Sequence, residues 1–357
     1  METKEHLDLS SIEWMHVLPR MGIEERLIAN PKRRGPCPIC GGKSRFRFTN
    51  EKGRGTWVCN CGAGDGVRLI AAVHGISDAK AIIELRELIF GPGGAPQKFT
   101  RKGPPPEIPT KTPEDIEKAR IGLRSVWEGA NGIAETPAMS YLQSRVRDLD
   151  LAWLSKAFRF HPSLYHMDED TGKVSHLPAL VSLVNDASNP EEAVSIHRTY
   201  LDGKCGKAKV SPGQAKKLMT AVVEKICGHS IKLNKAHGPV VIVTEGIENG
   251  LAWVAAYRNK YPVYAGINCY NLAAFRWPAE TKVLIICGDH DPVNTKTGIR
   301  PGFHNAMLLK KRAVESGLAA VVKIPKVLGI DWDDLWNSRE LSQFRLQRSR
   351  QKENQSN

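Results

Sequence analysis

Apolar side chains change their spacing several times along the chain. Leu69, Ile70 and Val73, then Ile82, Ile83, Leu85, Leu88 and Ile89, recur at helical intervals, so residues 69–90 are predicted to be helical. The first 30 residues carry a weaker form of that pattern, and residues 31–68 lose it, becoming basic, glycine-rich and cysteine-bearing. Gly91-Pro92-Gly93-Gly94-Ala95-Pro96, Pro104-Pro105-Pro106 and Pro109 then interrupt all periodicity and predict a semi-extended tether. Pro113 to Leu154 reads mostly as helix. From about Phe158 the pattern becomes strand and turn, with Ala179–Val184, Val194–Leu201 and the turn Asp202-Gly203-Lys204. After Pro239 short apolar runs alternate with amphipathic stretches. Val240–Val243, Val263–Ala265, Val283–Ile286 and Ala319–Ile324 read as strands, with helices at Glu248–Arg258 and Phe303–Ser316. Such alternation marks a parallel α/β sheet.

A length of 357 residues suggests two or three domains at about 150 residues each. The boundaries expected are 1–90 for a cysteine-bearing domain, 91–112 for the linker and 113–237 for a mixed α+β segment. Residues 238–337 form the α/β domain, and 338–357 a basic polar tail. Hydrophobic residues at 41% and charged residues at 25% exclude global disorder. Lys plus Arg number 51 against 38 acids, a net charge of +13 that favours a polyanionic partner, nucleic acid before membrane. No apolar run approaches the roughly 20 residues needed to span a bilayer, and the charged N-terminus lacks an apolar signal core. A cytoplasmic location, in a bacterium or a host cell, is the expectation.

Four of the eight cysteines stand as Cys37-Pro38-Ile39-Cys40 and Cys59-Asn60-Cys61, bracketing 18 residues. Two such knuckles can fold back as a ribbon and present four thiolates to Zn²⁺, and in so small a module the metal would supply much of the folding energy. The second knuckle has one intervening residue where two to four are usual. Cys205, Cys227, Cys269 and Cys287 are scattered and read as free thiols. Between the knuckles, strand alternation puts Arg45 and Arg47 on one face and Phe46 and Phe48 on the other, with Trp57 following. Cations beside rings suit single-stranded nucleic acid. The competing reading makes Phe46, Phe48 and Trp57 the ribbon's own core.

Glu245 ends one predicted strand, Asp289-His290-Asp291 follow another, and Asp331-Trp332-Asp333-Asp334 follow the last. Ligands of open α/β sheets gather at the carboxyl ends of strands, and oxygen-rich clusters hold hard divalent cations such as Mg²⁺ or Mn²⁺. The ordinary alternative for each acid is a helix cap or a solvated carboxylate. His161, His166, His176 and His197 fit no standard metal spacing, and His290 should face away from its flanking aspartates in an extended segment.

Together these residues resemble the bacterial-type DNA primases that carry a Toprim catalytic domain, especially the stand-alone primases of phages and mobile elements. The resemblance rests on Cys37–Phe48, Gly55–Cys59 and Gly62–Gly66, on Ile196–Gly203 with Lys207, on Thr244-Glu245-Gly246-Ile247-Glu248, on Asp289-His290-Asp291 and on Asp331–Asp334. The fold it implies is α/β: a Rossmann-like Toprim catalytic domain with a mixed α+β N-terminal subdomain, preceded by a small zinc ribbon. The activity it implies is RNA primer synthesis from ribonucleoside triphosphates on single-stranded DNA, with structural Zn²⁺ and catalytic Mg²⁺ or Mn²⁺. Glu245, Asp289 and Asp291 would be catalytic and metal-binding, and Asp331 and Asp333 would complete the acidic site. Arg45, Arg47, Trp57, Arg198 and Lys207 would contact nucleic acid or nucleotide. Asn249 stands where many relatives have Asp, and relatives of the mobile-element type carry a Glu at the position of Glu248.

Residues 196–235 are densely basic, with Arg198, Lys204, Lys207, Lys209, Lys216, Lys217, Lys225, Lys232 and Lys235 against Asp202 and Glu224. Cations there suit a template backbone and a triphosphate. The phosphate-loop motif of a motor domain is absent, so a replicative helicase is expected in trans. A Toprim nuclease and a non-catalytic, single-strand-binding replication accessory protein are the alternatives.

Overall fold

The structure, a computed structural model, describes residues 9–29, 34–41, 45–59, 61–90, 111–169, 171–186, 189–223, 226–293 and 300–346. The expected linker core at 91–110, Lys225, Glu224 and most of the expected tail lie outside the described residues. Contacts divide the chain into two units. One is Met1–Glu114 with Met167–Lys173 and Val293–Pro301, and the other is Asp115–His166, Val174–Pro292 and Gly302–Asn357.

In the first unit, two short helices, α1 (Trp14–Arg20) and α2 (Glu25–Ile28), precede a three-stranded antiparallel sheet of β1 (Arg47–Phe48), β2 (Trp57–Cys59) and β3 (Gly62–Gly64). Helices α3 (Gly66–His74) and α4 (Asp78–Phe90) follow. Asp65 caps α3 by accepting a hydrogen bond from the Arg68 amide at 3.0 Å, and Gly75 ends it at φ +67°, a left-handed conformation that favours glycine. Trp14, Leu18, Phe46, Phe48, Leu69 and Ile70 are buried together.

The second unit opens within α5 (Pro113–Glu128), at Asp115, and continues with α6 (Pro137–Arg145). The stretch 113–154, expected to be mostly helix, holds two α-helices, separated where Gly129 and Gly132, and then Pro137 at the start of the second, favour a break. An antiparallel sheet follows in the order β4 (Phe158–Met167), β5 (Val174–Asp186), β6 (Asn189–Tyr200) and β7 (Lys216–Leu218). Next comes the α/β part: β8 (Ile231–Lys232), β9 (Val240–Thr244), α7 (Ile247–Ala256), β10 (Val263–Ala265), α8 (Cys269–Ala274), β11 (Val283–Cys287), α9 (Pro301–Glu315), β12 (Ala319–Lys323) and α10 (Trp332–Asn337). Its sheet runs β12-β11-β9-β10-β8, parallel except for β8.

Strands β9 and β11 are apolar on both faces because both are covered. Ile242 and Ile285 join the core shared with α7, whereas Val241, Val243, Leu284 and Ile286 meet Ala306, Leu309 and Ala313 of α9. The chain leaving β9 therefore turns to one face of the sheet and the chain leaving β11 to the other. Thr244 and Cys287 are register partners at the ends of these neighbours, so the two loops part at a single point. This is the strand-order switch at which doubly wound sheets open a crevice.

Trp253 of α7 anchors this half. It is fully buried against Tyr257, Trp332 and Phe344, with ring centroids 4.9–6.1 Å away. Trp253→Ala is expected to destabilise the protein by about 3–5 kcal/mol, read as a lowered urea midpoint by circular dichroism.

Candidate metal and nucleotide sites

The four expected cysteines converge. Cys37 Sγ lies 3.6 Å from Cys61 Sγ, Cys40 Sγ lies 3.9 Å from Cys59 Sγ, and all four sulfurs fall within 4.8 Å of one another. Zn–S bonds of about 2.3 Å at tetrahedral angles place sulfurs ~3.8 Å apart, so the set fits Zn²⁺. The one-residue knuckle does not exclude Cys61. Its neighbour Gly62 opens β3, where Cys59 and Gly62 are register partners, and the tight reversal returns Cys61 toward Cys37. Crowding by Cys37 and its companions pushes the Cys59 and Cys61 thiols far above their ordinary range, a penalty that a cation among them would remove.

Ribbon alternation follows the sequence. Phe46 and Phe48 are buried, Arg45 is exposed and Arg47 half-buried. Trp57 corrects the expectation of a base-stacking ring. It is only 4% exposed, stacks on Phe46 with centroids 5.9 Å apart, and donates its indole N–H to the Asp65 carbonyl at 3.2 Å. No free ring face is left for a base, because the ribbon has so few residues with which to build a core.

At the crevice, Glu245 follows β9 and Asp289 and Asp291 follow β11. Glu245 Oε1 accepts from the Asp289 amide at 3.1 Å, and Asp291 Oδ2 accepts from the Gly302 amide at 3.0 Å. Gly302, in the first turn of α9, sits so close that a Cβ there would lie 2.7 Å from Glu245 Oε1 and 2.5 Å from the Asp289 carbonyl. Asn249, on α7, donates to Asp289 Oδ1 at 2.7 Å while its own amide oxygen accepts from the Asp333 backbone N–H at 3.4 Å. A neutral amide thereby ties the β11 acid to α10, a link with no signal in the sequence.

Asp331, Asp333 and Asp334 bring carboxylate oxygens within 4.8 Å of one another. Asp331 caps α10, its amide donating to Asp334 Oδ2 at 3.5 Å, and the buried Asp333 is ion-paired with Arg145 of α6. Among the described residues, Glu245, Asp289 and Asp291 do not close to that spacing. Backbone amides of Asp289 and Gly302 and the side-chain amide of Asn249 take up oxygens of these acids.

Burial pushes Glu245 up to about 8, and the charges of Asp291 and Asp331 add to this against the hydrogen bond from the Asp289 amide. Burial, then Glu245, drives Asp289 well above the carboxylate range. Asp331 is raised by burial and by Asp334, and Asp333 reaches about 6 by burial, against the pull of Arg145. Hard oxygen donors, buried and reluctant to ionise together, form a set that suits a divalent cation.

Beside the acids stands a cationic group. Glu248, 6% exposed on α7, accepts from the Tyr141 hydroxyl at 2.5 Å and from Lys216 Nζ at 2.8 Å, with Lys207 Nζ at 4.0 Å. Burial opposes its ionisation, but Lys216, Lys207 and the two hydrogen bonds outweigh that and hold the carboxyl far below its ordinary value. His197, buried and next to Lys216, is pushed down to about 3 and stays neutral. Arg198 stacks over Tyr200 at 5.7 Å and donates to the Leu218 carbonyl at 3.4 Å. His166 Nε2–H donates to the Gln214 carbonyl at 3.0 Å and the ring packs on Tyr200, so it serves the sheet interior. Tyr141 and Arg145 escaped the sequence reading because their partners lie about a hundred or more residues away.

Family models match both ends and the middle of the chain. Residues 32–67 match a zinc-binding domain of primase-helicase, residues 240–340 a Toprim domain, and residues 117–228 a domain of unknown function (DUF7146). The chain carries a Toprim domain behind a primase-type zinc ribbon. Both halves of the resemblance read from the sequence are present. Among solved structures, the Aquifex aeolicus primase (zinc-binding and RNA polymerase domains) is 14% identical with a TM-score of 0.38, covering 95% of this chain and 85% of that one. The primase fragment of the bacteriophage T7 primase-helicase is 13% identical with a TM-score of 0.34, covering 87% and 96%. The DnaG primase catalytic domain bound to single-stranded DNA is 14% identical with a TM-score of 0.39, covering 64% and 80%. Likenesses of this size carry no inference about activity. Among the described residues no helix of the Toprim protein is long and apolar enough to cross a membrane.

The raised carboxyls have a signed consequence. A group whose folded pKa lies above its unfolded value stabilises fully below the unfolded pKa and loses that contribution as pH rises through the folded one. For Glu245 the window runs from about 4.3 up to about 8. The metal-free Toprim protein should therefore lose stability across that range, and a Mg²⁺-induced rise in melting temperature should grow from pH 6 to pH 9. Thermal melts with and without Mg²⁺ check this, and Glu245→Gln should flatten the pH dependence.

Proposed function

We propose that this Toprim protein is a DNA primase, a nucleotidyltransferase that copies single-stranded DNA into short RNA primers during replication. The observation that supports this most is the union in one chain of four thiols spaced for Zn²⁺ with a Toprim crevice edged by Glu245, Asp289 and Asp291. The template is single-stranded DNA, the substrates are ribonucleoside triphosphates, and a replicative helicase acts in trans in the cytoplasm. The zinc ribbon, within residues 1–90, engages template through Arg45 and Arg47. The linker at 91–112 keeps it near the core at 113–337, raising its effective concentration there.

In this reading the 3′-hydroxyl of one nucleotide attacks the α-phosphorus of the next, the hydroxyl proton is released, and the bond to pyrophosphate breaks. Glu245, Asp289 and Asp291, with Asp331 and Asp333 completing the acidic site, would hold Mg²⁺ or Mn²⁺, which would supply alignment and charge neutralisation. The chain's own part is placement. The Asn249 amide orients Asp289, the Gly302 amide orients Asp291, and the absence of a Cβ at Gly302 lets α9 approach the acids. Arg198 and Lys207 add cations for template and triphosphate.

Pure protein incubated with labelled ribonucleotides, Mg²⁺ and single-stranded DNA should yield short RNA. Cut DNA would instead indicate a nuclease, and binding without products an accessory role. Asp289→Ala should drop primer synthesis to below roughly a hundredth of the wild-type rate while zinc content, measured by elemental analysis, stays the same. Full activity in that variant would remove Asp289 from the site.

A further inference from the structure

The buried carboxylate of Glu248 belongs to no acid expected to hold metal, yet it organises the cations beside the Toprim acids. It gathers partners from three separate places. Tyr141 comes from α6, Lys216 from β7, and Lys207 from the loop between β6 and β7. Tyr141 is 2% exposed, so its hydroxyl can donate only inward. The lysines differ, because their side chains remain 39% (Lys207) and 36% (Lys216) exposed. Arg145, on the same helix as Tyr141, pairs with Asp333 and is 37% exposed. Three half-open cations thus stand against two nearly closed carboxylates, an excess of positive charge on the solvent side.

Two ammonium groups do not gather beside each other unaided. Burial and then Lys216 both disfavour the charged form of Lys207, and Glu248 opposes them. The cluster also adjoins the acids, since Arg145 is ion-paired with Asp333, whose carboxylate lies within 4.8 Å of those of Asp331 and Asp334. An arrangement that holds cations together at a cost, open to solvent and next to hard-cation ligands, fits a polyphosphate.

We infer that Glu248, fixed by the Tyr141 hydroxyl, is a positioning residue that sets Lys216 and Lys207 to receive the triphosphate of the incoming nucleotide. The nucleotide part of this rests on the primase reading. The polyphosphate part does not. Glu248 acts through the lysines and touches no reacting atom.

Charge alone and positioning predict opposite signs. Glu248→Gln makes the patch more positive, so a carboxylate that merely balanced charge would, when removed, leave polyphosphate binding tighter. A positioning carboxylate, when removed, leaves two repelling ammonium groups unfixed and binding weaker. Tyr141→Phe leaves formal charge untouched and removes only the hydrogen bond that aims Glu248. Glu248→Asp keeps the charge but shortens the reach, so it should not rescue.

The experiment is calorimetric titration of the full-length, zinc-loaded protein with inorganic tripolyphosphate, beside steady-state primer synthesis at varied ribonucleoside triphosphate. Tripolyphosphate affinity is expected to fall about tenfold in Glu248→Gln and Glu248→Asp and about threefold in Tyr141→Phe. KM for the triphosphate should rise in step while kcat holds within about twofold, and Tyr141→Phe/Glu248→Gln should be no worse than Glu248→Gln alone. Tighter binding in Glu248→Gln, or unchanged binding and KM in Tyr141→Phe, would overturn the assignment, as would a wild-type protein that ignores tripolyphosphate. Should the Glu248 variants fail to fold, Tyr141→Phe decides by itself. If the wild type makes no primers but the variants still lose tripolyphosphate, the primase reading fails and the positioning role stands.

Discussion

Like charges withdrawn from water are costly, and this cost organises both sites of the molecule. Glu245 and Asp289 lie at the ends of adjacent strands, buried enough that neither carboxyl ionises readily in the other's company. The sheet leaves them no wider spacing. Thr244 and Cys287 are register partners, so whatever follows each strand emerges at one place, and the chains diverge only afterwards to opposite faces. Backbone amides at Asp289 and Gly302 and the side-chain amide of Asn249 take up the carboxylate oxygens without adding charge. The same tension governs the ribbon, where four thiols meet beside a buried apolar core.

Next to the acids the protein resolves the problem by pairing. Arg145 meets Asp333, and Lys216 with Tyr141 meets Glu248. One acidic group is thus left short of positive partners while its neighbour has a surplus of them. A hard cation suits the first and a polyphosphate suits the second. Architecture contributes by bringing α6, β7 and α7 to one point, so the antiparallel segment places its cations beside Glu248.

Much of this was legible in the chain. The strands β9, β10, β11 and β12 stand within a residue of the apolar runs that predicted them, and β9 and β11 are apolar throughout because both their faces are covered. Alternation in Arg45–Phe48 sorted charge from core correctly. Legibility failed where local signals were weak or ambiguous. Strand β8 has two residues and α8 six, too few to show a period. Trp57 offered an aromatic ring beside cations, a pattern shared by base-binding surfaces and by miniature cores, and burial alone separates the two.

Order along the chain by itself determined the zinc ligands' spacing, the alternation of strand and helix, and the placing of acids just beyond strand ends, since each follows from residues near one another. Only the tertiary structure decided which acids share a crevice, that Asn249 bridges Asp289 to α10, and that Tyr141 and Glu248, 107 positions apart, share a hydrogen bond. The physical reason is range. Periodicity and turn chemistry act over a few residues, whereas the charge on a buried carboxylate is set by whichever groups the fold brings within a few ångströms, and no local pattern records those.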